Sequence, residues 1–265
     1  MDFVSIIGIV FGIGCMLIAQ ALEGGNVQSL IQLTAFMIVA GGTAGAVISS
    51  FPVDILLSGI EMAKKSFAAD NVNFNKIIEE ILGYATKARK EGVIILEKEA
   101  KNASDPLLKT GLEAVSDGAD PVLVRDLMET QLSQLEDKVM KAAKVWEAGG
   151  GYAPTFGIIG AVMGLIQVMQ NLSDPSKLGA GIAVAFVATI YGLVIANVLL
   201  LPLATKIKFK SAKEFLAKQI MIEGILSIQA GESPALIERK LHAFIMDKKA
   251  ATDGQGAAKP ATAKA

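Results

Sequence analysis

Four stretches of the chain are almost purely apolar, and they come in two pairs separated by a long segment of mixed character. The first runs from Phe3 to Leu22, the second from about Ser29 to Phe51, the third from about Gly151 to Leu172, and the fourth from about Leu178 to Leu203. Each is close to the ~20 residues a helix needs to cross the hydrocarbon of a bilayer. None contains Asp, Glu, Lys, Arg or His. Glycines recur inside them: Gly41, Gly42 and Gly45 in the second, and Gly157, Gly160 and Gly164 in the third. Small residues let helix backbones approach closely where lipid supplies no hydrophobic drive, so packing is the first explanation of these glycines.

The intervening segment has a different period. From Phe74 to Lys101, apolar residues at Ile77, Ile78, Ile81, Leu82, Ala85 and Ala88 recur near every 3.6 positions, which predicts one amphipathic helix over the whole run. Ser104-Asp105-Pro106 is a helix start signal, and Asp120-Pro121 repeats it. From there Val122–Glu147 keeps a helical pattern and leads into the third apolar run through Gly149-Gly150-Gly151, which is expected to lie between helices. After the fourth run, helix is expected to about Gln229, with a break at Ala230-Gly231-Glu232-Ser233-Pro234 and a further helix from Ala235 to Met246. Residues 250–265 lack apolar periodicity and are expected to be disordered. The predicted class is an all-α membrane protein. Its segments are 1–51 and 149–203 for the paired membrane helices, 52–148 and 204–249 for the polar helical parts, and the tail.

Charge sets the orientation. Of the 25 Lys and Arg residues, 13 lie between Pro52 and Gly150, 11 follow Leu203, and Lys177 alone falls elsewhere. The positive-inside rule then places both termini and the large insertion in the cytoplasm, with two short periplasmic loops. Lys206, Lys208, Lys210 and Lys213 form a collar that reads as an anchor at the headgroup level. Ala19-Gln20-Ala21 resembles a signal-peptidase site, but Met1-Asp2 offers no basic leader, so the first run is expected to be a retained anchor.

Composition agrees: 52% of residues are hydrophobic and only 6% aromatic, and the net charge of −1 gives no electrostatic footprint for nucleic acid. One cysteine, Cys15, and one histidine, His242, exclude an internal disulfide and make a zinc site a poor expectation. No phosphate-binding loop, dinucleotide fingerprint or nucleophile with an adjacent base is present, so no enzyme and no cofactor is expected. An ion-coupled membrane protein generally carries an ionisable relay within the bilayer. If this chain moves ions, that carboxylate must come from another subunit.

The remaining polar groups of the apolar runs sit in Ala153-Pro154-Thr155-Phe156-Gly157 and Ala188-Thr189-Ile190-Tyr191-Gly192. A membrane hydroxyl commonly bonds its own preceding turn; the alternative is that Thr189 faces an ion or water path. Pro154 is either a hinge or an N-terminal helix proline.

These residues carry a family resemblance. Ala88-Arg89-Lys90-Glu91-Gly92 with Leu96-Glu97, Ala153 to Gly160, Glu223 to Glu232, and Pro202-Leu203-Ala204-Thr205 together resemble the MotA/PomA family of flagellar stator subunits, over nearly the whole chain. The resemblance implies a pentameric ring around a MotB- or PomB-like partner that brings the membrane Asp, and a FliG-like rotor protein as the second partner. It implies that Arg89 and Glu97 face the rotor, that Pro154, Ala161 and Thr189 lie on the ion pathway, and that Pro154 and Pro202 couple it to movement. Eight residues apart on one helix, Arg89 and Glu97 would lie about 80° apart and share a face. Sodium-driven relatives carry threonine seven residues after the first proline, where this chain has Ala161, so protons are favoured over sodium. Two other classes remain: an ExbB/TolQ-like energiser, which resembles three-span chains, and a passive scaffold or channel.

Overall fold

A computed structural model describes residues 3–68, 72–173 and 175–243. Among them every regular element is helical. Helix α1 spans Phe3–Leu22. A 3₁₀ turn over Val27–Leu30 precedes α2, residues 33–50, whose middle, Met37–Gly41, widens into a π-helix. Helix α3 is Val53–Phe67, and α4 is Phe74–Glu91. A 3₁₀ turn over Val93–Ile95 leads to the short α5, Leu96–Ala100. Then come α6, Pro106–Ser116, and the 50-residue α7, Pro121–Gln170. Helix α8 covers residues 175–229 with a π segment at Ile195–Leu200, and α9 covers 234–243.

The chain forms two compact units, each discontinuous in sequence: residues 1–70 with 137–211, and residues 71–136 with 212–265. Among the described residues four helical stretches are long and apolar enough to cross a membrane: Val4–Leu22 and Val27–Ser50 lie in the first unit, and Pro121–Gln170 and Leu178–Gln229 belong to it in part. Packing in the first unit is backbone against backbone. A Cβ added to Gly42 would overlap the Phe156 ring, and one on Gly164 would lie 2.7 Å from the Gly181 carbonyl oxygen. Tyr191 ties α8 to the entry of α2: its hydroxyl donates to the Leu30 carbonyl (2.6 Å) and accepts from the Gln32 N–H (3.2 Å). The indole N–H of Trp146 donates to the Gly59 carbonyl (3.0 Å), fixing α3 on α7.

The second unit has a conventional apolar core in which Ile81, Leu96, Leu108, Met128, Ile225 and Leu241 are fully buried. Side-chain oxygens cap its helices: Asn73 accepts from the Lys76 N–H, Asp105 from that of Leu107, and Asp120 from that of Val122. Asp105 also takes the Lys218 ammonium at 2.6 Å on both oxygens. Glu80 accepts from the Ser104 N–H (3.0 Å), the Ser104 hydroxyl (2.5 Å) and the Tyr84 hydroxyl (2.6 Å). Burial raises the Glu80 carboxyl, but these donors together hold it below its ordinary value. Tyr84 is correspondingly pushed up, by burial first and then by its bond to Glu80. Lys240 is raised by its bond to Glu223 (2.5 Å), against an opposing burial effect.

Three sequence expectations are corrected. Phe74 to Lys101 is two helices, because Gly92 adopts φ +84°, which ends α4, and the following turn carries Leu96 into the core. Gly149-Gly150-Gly151 does not separate helices; all three lie inside α7. At two of them a side chain lacks room, since a Cβ on Gly150 would meet the Leu201 side chain at 2.5 Å and one on Gly149 that of Leu200 at 3.2 Å, whereas Gly151 faces open space. The second apolar run is interrupted, since Ile31 and Gln32 are extended between the 3₁₀ turn and α2. The break after Gln229 forms as expected, turning at Gly231 (φ +72°), with Pro234 beginning α9. Met246 and the 250–265 tail lie outside the described residues.

Candidate functional site

Two groups of residues from the sequence reading are placed in two settings, one in each unit. In the first unit, α7 and α8 meet along a seam of small residues. A Cβ on Gly192 would lie 2.6 Å from the Ala153 carbonyl oxygen and 3.1 Å from the Cα atoms of Pro154 and Gly157. One on Gly157 would lie 3.0 Å from the Ala188 carbonyl oxygen and 3.3 Å from the Thr189 Cα. The Pro154–Gly157 turn is thus pressed against the Thr189–Gly192 turn, and the structure brings Pro154 and Thr189 to one place.

Pro154 is well inside α7, not at a helix start. Lacking an N–H, it leaves the Gly150 carbonyl without its usual helical donor. Thr189 is half-buried, and its hydroxyl donates to the Ala185 carbonyl at 3.1 Å, the local bond weighed above. The hydroxyl oxygen keeps acceptor capacity in that arrangement. Thr155 does likewise to Tyr152 (2.6 Å). Ala161 is half-buried and follows Pro154 by two helical turns, so both lie on nearly the same side of α7.

Pro202 stands apart from this seam. It is exposed, two residues beyond the π segment of α8, and lines a cavity of about 750 Å³ with Ser5, Gly8, Gly12, Asn197 and Lys206. The lysine collar makes internal contacts: Lys206 donates to Ser5 (2.6 Å) and lies over the Phe67 ring, Lys208 bonds Glu147 (2.6 Å), and Lys210 reaches the Lys65 and Ala68 carbonyls.

In the second unit, Arg89 ends α4 and Glu97 begins α5, on either side of the Gly92 turn. The helical angle computed for one continuous helix therefore does not apply to them. Both are exposed, and among the described residues neither has an ion-pair partner, although Lys87 and Glu99 pair at 2.7 Å.

Sequence reasoning passed over three polar groups. Tyr191 was noted only within its motif, and its role as the clamp on α2 needed the tertiary contact. The Gln32 side-chain oxygen and the Thr43 hydroxyl are buried in the first unit without a hydrogen-bond partner among the described residues. Their signal was an isolated amide and an isolated hydroxyl in an apolar run. Among the described residues no cluster of His, Cys, Asp or Glu has the geometry of a metal site.

The four apolar helical stretches define the class of a multi-pass helical membrane protein, and the comparisons with known proteins give its family. The sequence profile of the MotA/TolQ/ExbB proton channel family matches residues 99–249. Motility protein A of Aquifex aeolicus (strain VF5) is 38% identical over 242 residues, 91% of this chain and 95% of that protein. The solved structure of C. jejuni MotAB superposes with a TM-score of 0.86 at 31% identity, covering 92% of this chain and 96% of that one. The flagellar MotAB stator complex from Bacillus subtilis gives 0.82 at 33% identity, covering 91% and 95%. The chain belongs to the MotA/TolQ/ExbB proton channel family, in its MotA-type branch of flagellar stator subunits.

Proposed function

We propose that this chain is the ring-forming subunit of an ion-driven flagellar stator in the bacterial inner membrane, with both termini cytoplasmic. One observation carries the reading: the four apolar stretches hold no Asp, Glu, Lys, Arg or His, in a chain whose solved relatives are complexes with a second subunit. A MotB-like partner then supplies the membrane Asp, and five copies of this chain surround it. Ions pass between that carboxylate and the seam of α7 and α8, where Thr189 offers a hydroxyl oxygen and Pro154 loosens the backbone ladder. Ala161 offers no oxygen, which favours a proton over sodium, since a hard cation needs several oxygen ligands. Movement reaches the rotor switch protein through Arg89 and Glu97, with Pro202 among the coupling residues.

The test is charge reversal in cells lacking the native chain. Arg89→Glu or Glu97→Lys is expected to impair swimming while the protein still inserts and assembles with its partner. Full motility of the double reversal overturns the assigned rotor role. Loss of outer-membrane transport in place of motility, on deletion of the chain, would identify an ExbB/TolQ-type energiser instead.

A further inference from the structure

The cavity that Pro202 lines lies between two membrane helices. One wall is the first part of α1, with Ser5, Gly8 and Gly12, and the other is the end of the apolar run of α8, with Val198, Leu203 and Lys206. At about 750 Å³ it has the size of a ligand site, not of a packing defect. The two glycines differ from those of the α7–α8 seam. A neighbouring backbone fills the space beside Gly157, Gly164 and Gly192, but a Cβ on Gly8 or Gly12 would meet nothing within 4 Å. This chain's own helices leave that groove of α1 open.

The lining is apolar with charge at one end. Leu203 closes the apolar run of α8, and Lys206 is the first cation after it. Lys206 is also the only charged residue described in the lining, its ammonium 2.6 Å from the Ser5 hydroxyl oxygen and 4.4 Å from the centre of the Phe67 ring. One turn further, Lys210 is held by the Lys65 and Ala68 carbonyls, dipoles that orient an ammonium without cancelling its charge. Apolar walls that end in cations complement an amphiphile with an anionic head. A soluble anion would gain nothing from the apolar walls. A second copy of this chain in the same membrane presents its own lysine collar at that height, so it brings cations where an anion is wanted. Basic pockets between membrane helices on the cytoplasmic side bind anionic lipid headgroups.

We propose that this cavity binds an anionic phospholipid of the cytoplasmic leaflet, with its phosphate at Lys206 and Lys210 and an acyl chain along Gly8 and Gly12. This rests on the reading that places the lysine collar at the cytoplasmic face. The phosphate joins the contacts Lys206 already makes, and the chain takes the room of the side chains the two glycines lack. Pro202 belongs to the same wall. A lipid seated there lies against a residue proposed for coupling, and so acts as a structural part of the complex and not only as surrounding solvent.

The experiment uses the full chain with its partner subunit in nanodiscs of equal parts phosphatidylglycerol and phosphatidylethanolamine. Native mass spectrometry counts the lipids each complex keeps when the disc is stripped away. The native complex is expected to keep phosphatidylglycerol in preference to phosphatidylethanolamine. Lys206→Gln is expected to lower that preference about fivefold, the worth of one lysine near an anionic surface. Gly8→Leu combined with Gly12→Leu, whose Cβ positions are open, is expected to expel the lipid while the complex keeps its native size. Equal retention of the two lipids by the native complex, or an unchanged preference in Lys206→Gln, overturns the site. A smaller oligomer in the double variant, with phosphatidylglycerol still kept, assigns the groove to a second copy and overturns it too. Orientation is read separately from Glu214→Cys in a Cys15→Ser background, in intact spheroplasts. Labelling from outside by an impermeant maleimide overturns the cytoplasmic placing of the collar, whatever lipid is kept. Protection from the label, the expected result, upholds that placing and leaves lipid retention to decide the site alone.

Discussion

Gly192→Ala is the substitution that most sharply tests the seam between α7 and α8. The added methyl carbon would stand 2.6 Å from the Ala153 carbonyl oxygen and 3.1 Å from two Cα atoms, all of them backbone. No rotamer change relieves such contacts. Ordinary contact begins at 3.4 Å, so α8 must retreat by ~0.8 Å or the backbone must bend, and the seam loses its dispersion contacts either way. Overpacking of this kind costs ~3 kcal/mol at its upper end, offset by ~1 kcal/mol for replacing a helical glycine with alanine, leaving a loss of ~2 kcal/mol. For a chain of this size that lowers the melting temperature by about 4–8 °C. Trp146, the only tryptophan, belongs to the same unit and reports the transition by its fluorescence in detergent or nanodiscs. Gly151→Ala is the matched control, because nothing lies within 4 Å of the position its Cβ would take. It should melt at or above the native temperature. A Gly192→Ala protein that melts with the native one would refute close backbone approach as the reason for glycine there.

Two further predictions concern individual hydrogen bonds. Tyr191→Phe removes the hydroxyl that satisfies both Leu30 and Gln32 and should cost about 1–3 kcal/mol, seen as a lower melting temperature by the same Trp146 signal; an unchanged melt would show that water or Gln32 itself replaces it. Glu80 has a folded-state pKa below its ordinary value of 4.5, so its stabilisation is present above pH 4.5 and lost as pH falls through the lower folded value. The stability difference between the native protein and Glu80→Gln, measured by denaturant titration, should therefore shrink below pH 4.5; a difference that stays constant through that fall would show that the Ser104 and Tyr84 bonds do not depend on the charge.

Much of this architecture was legible because the bilayer imposes simple rules. The first, third and fourth apolar runs, the starts at Asp105-Pro106 and Asp120-Pro121, and the stop after Gln229 follow from local chemistry and match the helices observed. The failures share a cause. At Gly92 the periodicity of α4 carries past the helix end, because Leu96 and Ala100 are apolar for a different reason: they pack from a separate short helix. At Gly149 to Gly151 glycine reads as a breaker, yet at the first two the neighbouring Leu200 and Leu201 occupy the space a side chain would need. Both are tertiary effects that override local propensity. For the site, Pro154 and Thr189 were named from their motifs, but their contact through Gly157 and Gly192 is visible only in three dimensions. The clamp by Tyr191 joins residues far apart in sequence, and no local pattern announces it.

The most direct test of the central claim is the rotation of single tethered motors in cells deleted for this chain, as the chain and its partner are re-expressed. Rotation should return in discrete speed increments as units join, collapse when a protonophore is added, and persist when sodium is removed. Motors that turn at full speed without the chain would contradict its role as a stator subunit, and collapse on sodium removal alone would keep that role and reverse the choice of ion.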